Sequence, residues 1–149
     1  MQHPRDVLEQ VVLRMRVGGK LVLHEYFCWE TWRMVPRCHP VEEYGKRFIA
    51  NWRLDGGEPN IGLDLLEWLP SLGCTVVSTR QIVRLAQPHM DVWQWPKTFV
   101  MVGVDRLVDL GKMTPEEAII AKDAWMKMEA NPYAYIVTPG LLEIVAEKQ

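Results

Sequence analysis

The sequence predicts an α/β protein, and three observations carry that expectation. An amphipathic helical pattern runs through two glycines into an uninterrupted apolar run at Leu21, Val22 and Leu23, the kind of run found in a strand covered on both faces. A β-rich stretch spans Cys74 to Leu85 and a strand-like segment spans Leu141 to Glu147. Helical patterns separate these strands, and that alternation is the signature of α/β architecture.

Pro4 suits a first helical turn, where its missing N–H is not needed. Val7, Leu8, Val11, Val12 and Met15 then share one helical face until Gly18 and Gly19 end the segment. After the first strand comes an aromatic stretch with Tyr26, Phe27, Trp29 and Trp32, closed by Pro36 and Pro40. A second helix carries Val41, Tyr44, Phe48, Ile49 and Trp52 on one stripe. Gly56, Gly57 and Pro59 break it, and Asn60 is placed to cap a third helix with Leu63, Leu66 and Leu69 that Pro70 should kink or shorten. The strand from Cys74 has an expected irregularity near Ser78. Pro88 to Pro96 reads as a loop and Lys97 to Leu110 as a helix. Thr114, Pro115 and Glu117 then form a capping box that opens the last helix, which runs to about Ala130.

With 149 residues the chain is long enough for one domain with a real core and too short for two. Its formal charge of −2 gives no electrostatic reason to expect nucleic acid or an anionic membrane as partner. No apolar run approaches the roughly 20 residues of a membrane helix, and the residues from Met1 to Asp6 do not read as a secretory leader. Cys28, Cys38 and Cys74 are widely spaced without a C-x-x-C pair and fit reduced thiols, which points to the cytoplasm.

The segment Met15-Arg16-Val17-Gly18-Gly19-Lys20-Leu21-Val22-Leu23-His24-Glu25-Tyr26 resembles the glycine turn and fifth strand of class I S-adenosylmethionine-dependent methyltransferases. Asp55-Gly56-Gly57-Glu58-Pro59-Asn60-Ile61-Gly62, followed by the helix to Gly73, is similar to that family's approach to strand six. Ile144 to Lys148 looks like its final strand. Val17 departs from the usual proline. The resemblance implies the C-terminal half of the family's fold: a partial Rossmann-like sheet of about three strands, the last two antiparallel, in a single domain spanning residues 1–149 with an acceptor-side helical insertion at 27–60. In the family, strand five lies between strands four and seven. The implied reaction is methyl transfer from S-adenosylmethionine to a small-molecule acceptor, by in-line attack on the sulfonium methyl.

The donor site is not expected on this chain. It calls for a glycine-rich loop after a strand, whereas Gly18-Gly19 precedes one and no G-x-G-x-x-G occurs. Without strand four, the edge at Leu21 and Leu23 becomes a pairing template, so a homodimer or a separate N-terminal half is the expected partner.

Ligands of open α/β sheets bind beyond the carboxyl ends of the strands. Glu25 and His24 are therefore the candidate general bases, with hydrogen bonding in the helix layer as the competing role. Tyr26, Trp29, Trp32 and Arg33 are the candidate acceptor-binding residues, the aromatics as walls and arginine for a carboxylate or phosphate. Core packing competes for the tryptophans, most strongly at Trp52, and a solvated surface competes for Arg33, Arg37 and Arg53. No histidine or cysteine spacing suits a metal. A non-catalytic dimeric interaction module, or a binder of small hydrophobic ligands, is the alternative function.

Overall fold

The strand formed last in sequence lies in the middle of the first sheet. In the computed structural model, which describes residues 3–149, β1 (Lys20–Cys28), β2 (Arg33–Val35), β3 (Cys74–Ile82), β4 (Leu85–Ala86), β5 (Tyr135–Val137) and β6 (Gly140–Lys148) form two sheets. The helices are α1 (Pro4–Arg14), α2 (His39–Leu54), α3 (Gly62–Ser71), α4 (Asp91–Asp109) and α5 (Pro115–Glu129). The first sheet has the order β1-β6-β3 and the second β2-β5-β4, with every pairing antiparallel. The protein is thus mixed α/β. Its residues group into two units: one holds the chain up to Trp29, Gly56–Ile82 and Pro139–Gln149, the other Glu30–Asp55 and Val83–Thr138.

In the first unit, β6 alternates buried and half-buried residues, as a strand with one covered face must. Leu142, Ile144 and Ala146 meet Leu8 and Val12 of α1 and Leu65 and Leu69 of α3 in one apolar cluster. Leu21 and Leu23 of β1 and Val76 of β3 pack against it. The expected irregularity is present as a register shift between Val76 and Ser78. Gly73, at φ +79°, turns the chain from α3 into β3. That left-handed conformation disfavours any residue with a Cβ.

The end of β6 also ties down α1. Gly18 N–H donates to the Lys148 carbonyl at 2.8 Å, and Lys148 N–H donates to the Gly19 carbonyl at 3.0 Å. The Lys148 ammonium donates to the carbonyls of Val12 and Met15, each at 2.9 Å. These acceptors lie at the helix end, where carbonyls lack intrahelical partners and a cation is favoured by the dipole.

In the second unit the capping box forms as expected. The Thr114 hydroxyl accepts from Glu117 N–H at 3.2 Å and the Glu117 carboxylate accepts from Thr114 N–H at 2.9 Å. The same carboxylate receives both terminal nitrogens of Arg47, at 2.8 and 2.9 Å, bolting α2 to the start of α5. Two elements differ from the sequence expectation. α4 begins at Asp91, so Trp93, Trp95 and Pro96 lie in the helix rather than in a loop. Trp93, Val100, Val104 and Leu107 are all buried at helical spacing. Burying them outweighs the helix-interior penalty of proline, about 3 kcal/mol. The stretch expected as one strand from Cys74 to Leu85 is divided after Ile82, and Leu85–Ala86 pairs with β5 in the second sheet. Strands of two or three residues are too short to show a period.

Lys148→Met keeps the apolar stem and removes the donors that close α1. The variant is expected to lose about 1–2 kcal/mol, read as a lower urea midpoint with an unchanged slope.

Candidate functional site

The second half of β1 and the residue after it hold four of the six residues the sequence singles out; the strand runs on to Cys28, so His24 and Glu25 sit within it rather than at its end. Alternation along the strand sends His24 and Glu25 to opposite faces of the sheet. His24 stands opposite Glu143, which stands opposite Arg80. The three side chains join across the strands: His24 Nε2 lies 2.7 Å from a Glu143 carboxylate oxygen, and Arg80 donates to both Glu143 oxygens at 3.0 Å. Arg80 first, then His24, holds the Glu143 carboxyl below its ordinary range. His24 is therefore one end of a cross-strand ladder rather than a base left to itself.

Glu25 is differently placed. It lies opposite Leu142, on the face that carries Leu21 and Leu23 into the core. Glu25 is an exposed residue, yet the protein packed on one side of its carboxyl strips some water from it and raises its pKa above the ordinary value, the direction that favours the protonated form. Tyr26 and Trp29 follow, with ring centroids 4.7 Å apart at a tilt of 50°. Trp29 is buried and Tyr26 half-buried, so Tyr26 offers the more accessible ring.

A segment from the loop before α3 closes over this strand end, and the sequence reading missed its role. Ile61 directly precedes α3 and is already in a right-handed helical conformation. The Asn60 side-chain oxygen accepts from Trp29 N–H at 3.0 Å, and Glu58 accepts from Asn60 N–H at 2.8 Å. The first residue of α3, Gly62, lies against the carbonyls of Tyr26 and Glu25.

Trp32 and Arg33 belong to the second unit. Trp32 is buried, edge-on to Tyr44 and Phe99 at 6.2 and 5.7 Å, and Gly45 lies against its ring. The Tyr44 hydroxyl donates to the Phe99 carbonyl at 2.8 Å, and burial pushes its phenol pKa far up. Arg33 donates to the Trp32 carbonyl at 3.1 Å. Arg37 pairs with Glu42 through two nitrogens, and Arg53 approaches Glu30 at 4.0 Å. Trp93 and Trp125 are fully buried against each other at 5.1 Å. A cleft of about 350 Å³ in this unit is lined by Val108, Ile119 and the Asp105–Lys122 ion pair, and by none of the six residues above.

Among the described residues no cluster of histidine, cysteine and carboxylate side chains could hold a metal. No helix among them is long and apolar enough to cross a membrane. Cys28, Cys38 and Cys74 form no disulfide. No protein-family model matches the chain, and no curated protein matches its sequence.

Because burial raises the Glu25 carboxyl pKa in the fold, its contribution to stability is full below the unfolded carboxylate pKa and is lost as pH rises through the folded value. Glu25→Gln removes that loss. The variant should melt higher than the parent near pH 7, and the gap should close as pH falls toward about 4; thermal melts across this range check the sign.

Proposed function

We propose that this chain is the acceptor-side, C-terminal part of an S-adenosylmethionine-dependent methyltransferase acting on a small molecule. The observation that supports it most is the arrangement of the first sheet. β1 and β3 run parallel to each other, α3 lies between them in sequence, and β6 inserts between them antiparallel to both. The resemblance calls for strand seven beside strand five, and β6 occupies that position beside β1. To the likeness of fold, an associational warrant for activity, the raised pKa of Glu25 on β1 adds a chemical one.

The residues present do not suit the methyl donor. The Gly18–Gly19 turn precedes β1, and its backbone is engaged by Lys148. S-adenosylmethionine is therefore held by residues other than these. This chain contributes acceptor positioning, with Tyr26 as a wall, and a carboxylate at Glu25 that takes up the acceptor's proton. Among the described residues β1 pairs only with β6. Its other edge runs beside Leu21, Leu23 and Val22, the last 58% exposed. A strand of the donor-binding half, or of a second copy, pairs along it. Dispersed cysteines outside any disulfide suit a cytoplasmic setting. The same apolar edge favours a second reading, a non-catalytic interaction module.

The test is label transfer from methyl-tritiated S-adenosylmethionine into a low-molecular-mass extract, using protein isolated from its native cells with whatever accompanies it. The reading predicts transfer, a fall of about 100-fold or more in Glu25→Gln, and neither transfer nor donor binding by the isolated chain. No transfer by the native preparation overturns the activity, and micromolar donor binding by the isolated chain overturns the missing donor site.

A further inference from the structure

We propose that two copies of this chain pair through the open edge of β1, antiparallel about a two-fold axis at Val22, so that their first sheets become continuous. The methyl-transfer reading opens this edge to a donor-binding half or to a second copy; the self-pairing does not rest on that reading.

The first sheet has two outer strands, and they are built differently. β3 carries a register shift between Val76 and Ser78, then a polar run from Ser78 to Gln81 that is exposed throughout. Irregular pairing and polar or charged side chains are devices that keep a sheet edge from pairing. β1 runs from Lys20 to Tyr26 without a shift, and its centre is Leu21-Val22-Leu23, with Val22 58% exposed. The backbone groups that pairing needs are turned outward. Lys148 N–H donates to the Gly19 carbonyl, and residues along an antiparallel strand direct their backbone groups alternately to one side and the other. Gly19, Leu21 and Leu23 therefore address β6, while the N–H and C=O of Lys20, Val22 and His24 point to the open edge.

The side chains select one register. With Val22 opposite Val22 of the second copy, Leu21 meets Leu23 and Leu23 meets Leu21 on the face that carries the apolar cluster. On the other face Val22 already stands beside Val145, so the two valines join two apolar rows end to end. Lys20 of the second copy falls opposite His24, at the end of the ladder of Arg80, Glu143 and His24. Beyond that Lys20 stands its own cross-strand neighbour, Glu147. Basic and acidic groups thus alternate along the row: Arg80, Glu143, then Lys20 and Glu147 of the second copy. A slide by two residues in one direction sets Leu21 against Glu25 of the second copy. In the other direction it sets Leu23 against Gly19 and Lys20 against Val22. A slip by one residue would put core side chains opposite outward ones. Only the register centred on Val22 matches apolar with apolar on both faces, and such cross-strand pairs are what stabilise a sheet.

The test uses the chain alone. Sedimentation equilibrium should show the mass rising from monomer to dimer with concentration. Val22→Lys sets two like charges opposite each other at an exposed position and should raise the dissociation constant about tenfold or more. Val22→Cys should form an intermolecular disulfide under mild oxidation, because residues that exchange both backbone bonds have Cα atoms about 5.5 Å apart, within disulfide range. Lys20→Cys, which meets His24, should link no faster than the parent chain with its own cysteines. If Val22→Lys fails to fold, the two cysteine variants decide alone. A monomer at every concentration overturns the proposal, and so does a dimer that Val22→Lys leaves intact. A dimer in which Lys20→Cys links as readily as Val22→Cys overturns the pairing centred on Val22. No readout involves a methyl donor, so a monomeric chain leaves the reaction assignment to label transfer, and a failed label transfer leaves the pairing standing.

Discussion

The first unit depends on β6 holding the centre of its sheet. Neither β1 nor β3 pairs with the other; each has β6 as its neighbour. The apolar cluster is likewise centred on β6, through Leu142, Ile144 and Ala146. Its last residues fasten both incoming turns, with Lys148 bonded across Gly18 and Gly19 and Gln149 N–H donating to the Gly73 carbonyl at 2.9 Å. All these contacts join residues distant in sequence, so loop closure must precede most of the stabilisation in this unit.

The candidate site inherits its geometry from that constraint. Pairing of β1 with β6 sets which residues face the core and which face away, and a slip of one residue would exchange Glu25 with His24. The ladder of His24, Glu143 and Arg80 guards that register, because only one alignment places the carboxylate between the two donors. Glu25, on the other face, is left without a charged partner among the causes acting on its pKa and responds to burial alone. Two neighbouring residues of similar promise in the sequence thus have different work: His24 holds strands together while Glu25 carries the perturbed carboxyl.

Much of this was legible in the sequence where a local rule had one physical outcome. The glycine turn into Leu21–Leu23, the capping box at Thr114 and Glu117 and the irregularity near Ser78 all depend on neighbours within a few residues. The second sheet was not legible, since β2 and β5 are three residues each and β4 only two. Pro96 hid the first turns of α4, although the spacing of Trp93, Val100 and Val104 was there to be followed. The bond from Trp29 N–H to Asn60 was not legible, because it joins residues about thirty positions apart. Trp29, Trp32 and Trp93 are buried side chains, in keeping with the packing role that the tryptophan-rich composition offered beside pocket walls.

Native-state hydrogen exchange along β6 tests the central constraint most directly. A strand paired on both sides has its successive amides engaged alternately by two neighbours, so slow exchange is predicted at every residue from Leu142 to Ala146, near the global unfolding limit. Protection at alternate residues only, with the others exchanging like loop amides, would mean that β6 has a single neighbour and would contradict the account.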